Sequence, residues 1–393
     1  MFLIHGLFGL PGWAAFIVAP VFIHLTIVSV TLFLHRDQTH RGLELHPAVR
    51  HVFRFWLWLT TGMVTREWVA VHRKHHAHCE TDDDPHSPRV KGLFKVLFEG
   101  TELYRAEAAN PDTIATYGRG TIDDWMERHV YSRHTRLGAA LMAVIDLALL
   151  GLPGITVWAV QMLALPLLGA GVVNGVGHYS GYRNFECKDA ATNMLPWGVI
   201  IGGEELHNNH HAFPGSARFS QRPWEFDLGW SYIRLLQKLG LAKVRRVAPE
   251  PVIVVKHGPV NVDTVQAVIV NRMHVLRQYI REVIGPAIRS ERQKAGSESR
   301  GLLARARRLL SRDETLLDAR SRVRLQETLA RSPRLRTVYE FRRRLQALWE
   351  NQTLSNDRLL QQFKDWCAQA ENAHIVALRE FAERLRGYTL QHA

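Results

Sequence analysis

The sequence is poor in cysteine. Cys79, Cys187 and Cys367 are its only thiols in 393 residues, too few for a disulfide framework. None of them stands as C-x-x-C, so zinc ribbons and thioredoxin-like redox pairs are excluded as well. G-x-G-x-x-G and P-loop patterns are missing, and with them the usual dinucleotide and phosphate cradles. Acids are scarce beside bases, and the formal net charge is +13. That excess is uneven, because residues 301–350 hold 13 Arg, no Lys and 6 acids. With 46% hydrophobic and 22% charged residues, the chain cannot be wholly disordered.

What is abundant is histidine. There are 21, and seventeen lie at or before His211. With so little cysteine, metal chemistry here is expected to be imidazole chemistry.

Long apolar runs frame these histidines. Residues 13–34 carry no charge and match the ~20 apolar residues that cross a bilayer as a helix. Pro20 and His24 are tolerable within such a helix. A signal peptide is a poor fit, since no basic segment precedes the run and His35-Arg36 stands where small residues should be. The run Phe55–Thr65 is too short to span, and its Trp56 and Trp58 suit an interface. Residues 47–70 are therefore expected as one helix on the membrane surface. Residues 67–136 read as a water-exposed region of short helices. Residues 137–176 read as a spanning hairpin turning at Gly151-Leu152-Pro153-Gly154, with Asp146 facing protein or headgroups.

Three histidine boxes follow this framework. They are His35-Arg-Asp-Gln-Thr-His40, His72-Arg-Lys-His75-His76 and His207-Asn-Asn-His210-His211. In H-x-x-H-H all three rings share a helical face and are expected to converge on one point. The first box runs i to i+5, off any single face, and a locally unwound helix end is expected to bring its rings together. Asn174 and His178 add an i, i+4 pair at the end of the hairpin. Nine histidine ligands exceed what one metal takes, so two metals are expected. Zinc, copper, iron and nickel all suit imidazole. A structural zinc usually takes four ligands, often with Cys. A carboxylate-bridged di-iron bundle needs paired E-x-x-H helices, and only Glu204-x-x-His207 and Glu371-x-x-His374 fit that pattern.

Both early boxes must lie on one membrane face to share metals, which a non-spanning 55–65 run allows. The hairpin then returns His178 and the third box to that face.

The order HRDQTH, HRKHH, NGVGH, HNNHH resembles the integral-membrane fatty acyl desaturases, the stearoyl-CoA desaturase type and its bacterial relatives. Glu67-Trp68, Glu80-Thr-Asp-Asp-Asp-Pro-His86, Gly203-Glu204 and His211-Ala-Phe-Pro214 support it, and it covers about residues 13–245. The resemblance implies an all-α membrane fold with a cytosolic helical cap. It implies that His35, His40, His72, His75, His76, His178, His207, His210 and His211 bind two irons, and that Asn174 holds a water on one of them. It implies O2-dependent removal of two hydrogens from adjacent methylenes of a saturated acyl chain, delta-9 in a fatty acyl-CoA. A lipid-bound chain, or hydroxylation by a His-box relative, is the alternative. Trp68 is expected in the wall of the acyl tunnel. No H-P-G-G cytochrome signature is present, so a separate ferredoxin, rubredoxin, cytochrome b5 or flavin reductase is expected to supply electrons. The expected location is a bacterial cytoplasmic membrane, with the site facing the cytoplasm. Two departures stand out: Gly175 follows Asn174 where the family often has Ser, and one span precedes the first box where the family often has two.

Residues 1–250 are thus expected as the desaturase domain and 251–393 as an Arg-rich helical extension. Within the extension a long helix is expected over 262–293, a flexible break over Lys294–Gly301, and helices over 302–390. Leu345, Leu348, Trp349, Phe363, Trp366, Leu378, Phe381 and Leu385 mark its apolar face. Arginine near a membrane is attracted to anionic headgroups. Residues 331–390 also weakly resemble the C-terminal helical part of some insertion-sequence transposases. Their catalytic carboxylates are not evident, and nucleic acid is not expected as a partner.

Overall fold

The computed structural model describes residues 5–254, 259–294, 303, 305–350 and 354–390. The chain forms two compact units, Met1–Arg183 with Asp189–Ala248, and Asn184–Lys188 with Pro249–Ala393. Both are helical, and the described strands are short pairs only.

In the first unit, helical structure runs without a break from Gly12 to Thr39, 28 residues that are apolar enough to cross a membrane. It comprises a short 3-10 turn, helix α1 (Ala15–Ser29) and a π-helical stretch, Val30–Thr39. The next expected element, one helix over 47–70, is in fact two: α2 (Pro47–Thr60) and α3 (Thr65–His78). Gly62 breaks them at φ +63°, where a Cβ would also meet the Thr135 carbonyl oxygen at 2.6 Å. α2 buries Phe53, Leu57 and Trp58, while Val52 and Phe55 remain exposed. Trp56 donates to the Thr26 hydroxyl and Trp58 to the His134 carbonyl, which ties α2 to its neighbours.

The region 67–136 is less watery than its charge suggests. Its α4 (Leu93–Ala108) packs against the hairpin's second arm, where a Cβ on Gly171 would meet the Leu97 carbonyl oxygen at 2.4 Å. Small residues allow this close approach of two helices. Phe94 and Phe98 stay exposed on the same helix. The hairpin itself is α5 (Thr135–Leu150) and α6 (Leu152–Leu165), the latter widening into a π-helical stretch, Pro166–Val173. Leu152–His178 is the second segment long and apolar enough to cross a membrane. Asp146 is fully buried and accepts from Gln161 Nε2 at 2.8 Å, so it faces protein.

Two small sheets fix the ends of this unit. β1 (Leu43–Leu45) pairs antiparallel with β4 (Ala242–Val244), and β2 (Trp197–Gly198) pairs parallel with β3 (Phe226–Asp227). Between the latter two, α7 (His207–Ala212) carries the third box. Arg36 and Asp227 form a fully buried bidentate pair at 2.9 and 3.1 Å. The guanidinium also donates to the carbonyls of Ala217 and Gly202 and lies 3.8 Å over the Phe219 ring. This pair holds the loops around α7 against the end of the π-helical stretch.

In the second unit the expected helix over 262–293 breaks at Asn271, giving α8 (Val262–Val270) and α9 (Arg272–Tyr279). Asn271 leaves helical geometry (φ −93°, ψ 16°), and both its backbone N–H and its side-chain amide donate to the Ala267 carbonyl, at 3.1 and 2.9 Å, capping the end of α8. From Arg272 helical structure is continuous to Lys294. The expected break at Lys294–Gly301 lies, beyond Lys294, outside the described residues. The core gathers Tyr279, Leu335, Leu345, Phe363, Trp366, Leu378, Phe381 and Leu385. Trp366 donates to the Phe341 carbonyl at 2.9 Å, and buried Arg342 to the Leu310 carbonyl at 2.7 Å.

Candidate metal centre

The first box shows how local structure makes a site. Its i, i+5 spacing suits no α-helical face. The chain widens here into a π-helix, and His40 N donates to His35 O at 3.1 Å. One wide turn therefore stacks the two residues, and their rings lie 4.9 Å apart. The end is widened rather than unwound, as expected of the rare π turns that gather at functional sites.

The other two boxes do not each converge on one point. Residues advance by about 100° per position in an α-helix. Positions i and i+4 thus diverge by about 40°, but i+3 and i+4 by about 100°. His72 and His76 accordingly join His35, His40 and His210, whereas His75 joins His178, His207 and His211. The third box is split the opposite way, with His207 and His211 in the second group and His210 in the first. Every histidine singled out from the sequence falls in one of the two groups, whose donor atoms lie within 4.8 Å of one another. Asn174 is half-buried at the end of the Pro166–Val173 stretch and lines a cavity beside the first group.

Nε2 atoms meet at the centre of each group. In the first, His35 is 3.1 Å from His210, His76 is 2.9 Å from His210, and His72 is 3.1 Å from both His40 and His76. In the second, His178 is 3.2 Å from His75 and 3.0 Å from His207. Such separations are the edges of a polyhedron around a metal at about 2.1 Å from each nitrogen.

Carboxylates collar the outside. His35 donates from Nδ1 to Glu204 at 2.6 Å, His75 to Asp84 at 2.9 Å, His178 to Glu80 at 2.9 Å and His211 to Asp189 at 3.1 Å. A carboxylate on Nδ1 fixes the tautomer and leaves Nε2 as a lone pair facing inward. His75 and His178 then oppose two lone pairs at 3.2 Å, an arrangement that a cation between them makes favourable. His211 Nε2 is buried with no hydrogen-bond partner. The donor set therefore fits metal ions.

The electrostatics agree. Burial, then neighbouring imidazoles, hold His40, His72, His76, His207, His210 and His211 well below the ordinary histidine value. They are neutral and able to ligate. His75 goes the other way: burial opposes its charge, but Asp84 outweighs burial and raises it. A positive charge is favoured at that point of the second group.

Beside the first group lies a cavity of about 810 Å³. His35, His72, Glu204 and Asn174 line one part of it, and Ile27, Val71, Ala139, Met162, Leu165 and Val173 are among its apolar walls. Trp68 is in the wall, as expected, stacked on His72 with centroids 5.0 Å apart.

Residues 11–238 match the family model described as Fatty acid desaturase. The chain belongs to the fatty acid desaturase family. It is 35% identical over 235 residues to an sn-1 stearoyl-lipid 9-desaturase from Anabaena variabilis, covering 59% of this chain and 84% of that one. It is 32% identical over 240 residues to the Arabidopsis thaliana protein named "Probable lipid desaturase ADS3.2, chloroplastic", covering 59% of this chain and 63% of that one, less than two thirds of its length. An acyl-CoA 5-desaturase from Anemone leveillei is 31% identical over 258 residues, covering 61% and 74%. As a member of this family the desaturase is an oxidoreductase of lipid metabolism, and the family and the two apolar helices point to membrane association.

A second family model, described as Transposase, matches residues 262–391. The likeness thus extends well before 331, where the sequence first suggested it. Among the described residues of the second unit no three His, Cys, Asp or Glu donor atoms gather as they do in the desaturase unit.

Sequence reasoning did not assign the collar. Glu80 and Asp84 stood in the family context only as neighbours of the boxes, Glu204 was weighed only in an E-x-x-H pattern with His207 and as a neighbour of the third box, and Asp189 carried no signal because it lies 22 positions from the His211 it holds. His86, which ends the acidic stretch after the second box, lies tilted against His75 with ring centroids 4.4 Å apart.

Proposed function

We propose that this desaturase introduces a cis double bond into a saturated fatty acyl chain, at the delta-9 position of an acyl-CoA. The nine histidines are read as holding two iron ions, with Asn174 positioning a water on one of them. Iron held there supplies, with O2 and two electrons from a separate donor, the oxidising power that unactivated methylenes require. The donor is read as a ferredoxin, rubredoxin, cytochrome b5 or flavin reductase. The protein's own part is placement and exclusion. The apolar walls accept an alkyl chain and keep water out, and Trp68 and Val71 bring its methylenes alongside His72. Glu204, held by Thr31 at 2.7 Å, keeps His35 aimed at the centre.

The observation that carries this reading is an apolar cavity running up to a group of buried imidazoles. Arg105 and Arg136 in its wall suit a phosphate-bearing head, which a CoA thioester and a phospholipid both have. A lipid-bound chain is the second reading, favoured by the name of the Anabaena variabilis relative. Residues 1–250 are proposed as the catalytic domain and 251–393 as an extension outside the chemistry. The turn between α5 and α6 carries no basic residue, whereas Arg41, Arg66, Arg73 and Arg133 lie toward the histidine face. By the positive-inside bias that face belongs on the cytoplasmic side.

Fatty acids of a host making this chain are the test, analysed by gas chromatography–mass spectrometry with double-bond position. A delta-9 monoene is expected from wild type and is expected to vanish with His207→Ala. Hydroxylated chains instead of monoenes would move the assignment to a hydroxylase. In membranes, labelled stearoyl-CoA and stearoyl-phospholipid distinguish the two substrate forms. Ala139→Trp is expected to fill the cavity and abolish product while metal content is kept.

A further inference from the structure

The chain that leads from the hairpin to the third box leaves an apolar surface uncovered. Leu195, Trp197, Val199 and Ile200 are exposed there, Trp197 by 65% and Ile200 by 61%. The other residues of this segment, Pro196 and Gly198, bring no charge into it. β2 pairs with β3 in the register Trp197 to Phe226, and Phe226 and Trp224 are exposed as well. Exposure alternates along both segments. Leu195, Trp197 and Val199 point out around half-buried Pro196 and buried Gly198, and Trp224 and Phe226 point out around buried Glu225. Side chains opposite one another on paired strands share a face, so the two segments make one patch. This alternation is the reverse of a sheet in water, which turns apolar side chains inward and polar ones to solvent. Here the carboxylates go inward. Asp227 pairs with Arg36, and Glu225 accepts from Asn209 Nδ2 at 2.8 Å and from the Tyr182 hydroxyl at 2.7 Å. Apolar side chains out and polar ones in is the pattern of strands that face lipid.

The patch also continues the surface of the two long apolar helices. Its next residue, Ile201, is buried against Ile27 of α1 and Val173 at the end of the hairpin. A Cβ on Gly202 would meet Ile27 Cγ2 at 3.2 Å, so the segment lies flat on α1. We propose that residues 195–200, with Trp224 and Phe226, form a further membrane contact, a shelf that rests in the boundary between headgroups and acyl chains without crossing the bilayer. The inference rests on reading Gly12–Thr39 and Leu152–His178 as spanning helices. Tryptophan suits that depth, because its ring is apolar and its N–H finds a polar partner at the headgroup level. Interfacial segments lie about 5–10 Å into this boundary. Ile201 and Glu204 line the cavity beside the first histidine group. The shelf therefore sets that wall of the cavity at the lipid boundary rather than in open water.

The test uses the full-length chain in nanodiscs of phosphatidylcholine and phosphatidylglycerol. The photoreactive residue p-benzoylphenylalanine is placed at Val199 in one preparation and at Phe16, exposed on α1, in another. After illumination, phospholipid adducts are expected at both positions by peptide mass spectrometry. In unlabelled protein, lipids brominated on the upper acyl chain are expected to quench tryptophan fluorescence, with part of the quenching lost in Trp197→Phe and again in Trp224→Phe. If position 16 captures lipid but position 199 captures none and the two variants quench as wild type does, the shelf is wrong and the spanning helices stand. Capture of a second copy of the chain at position 199 would overturn it too, by making the face an interface between copies. If neither position captures lipid, the spanning reading fails and the shelf with it.

Discussion

At the residue scale the centre is defined by what stands behind each imidazole. Glu204, Asp84, Glu80 and Asp189 accept hydrogen bonds from Nδ1 and turn Nε2 lone pairs inward. Replacing Asp84 by Asn or Glu204 by Gln is expected to weaken metal binding by about 10–100-fold, read by competitive chelator titration. The buried imidazoles also set a pH dependence. His40, His72, His76, His207, His210 and His211 have folded-state values below the ordinary 6.5. Below that value the unfolded chain takes up protons that the folded chain refuses, so their contribution is present above pH 6.5 and lost as pH falls through it. His75, raised by Asp84 against burial, opposes the trend alone. Thermal unfolding of metal-stripped protein is therefore expected at lower temperature at pH 5.5 than at pH 7.5. A flat profile over that interval would contradict the assignment of neutral, buried rings.

At the scale of elements, backbone geometry decides which side chains meet. The π-helical widening of Val30–Thr39 makes an i, i+5 pair into neighbours, and the α-helical pitch of α3 and α7 divides each H-x-x-H-H box between two groups. Gly62 sets where α2 stops and α3 begins. A Gly62→Ala change forces a left-handed backbone on a residue with a Cβ, at a cost of about 1–2 kcal/mol before the clash with Thr135 is counted. Chemical denaturation is expected to show the loss. The Arg36–Asp227 pair is another fixed point. Asp227→Asn leaves a buried guanidinium without its counter-charge, and a loss of about 3–5 kcal/mol is expected. The box spacing was plain in the sequence, but not the division of the boxes. That division depends on where α3, α7 and the hairpin lie around one another, and no spacing along a single helix encodes it.

For the whole molecule, the division into two compact units separates the chemistry from the basic charge. All the described histidine clusters lie in the first unit, and the apolar core of the second is built around Trp366, Tyr279 and Phe381. Trp366→Ala is expected to cost the second unit about 3–5 kcal/mol. Calorimetry should show one transition lowered, with desaturation retained. Loss of product in parallel with that transition would mean that the extension serves the catalytic unit. The match of residues 262–391 to a transposase model concerns this helical unit, among whose described residues the gathered carboxylates that two-metal phosphoryl chemistry uses are not found.

The sequence alone determined which residues carry the donor chemistry. Its scarcity of cysteine and its boxes of histidine, placed between apolar runs, pointed to imidazole as the candidate donor and to a membrane as the setting. It also determined the helical class, because apolar periodicity is a local property of the chain. Only the tertiary structure decided which histidines share a group and which carboxylates fix their tautomers. It alone placed a cavity wall at Trp68. Those pairings join residues separated by up to 175 positions, as His35 and His210 are. Their contact follows from packing, which no local pattern records.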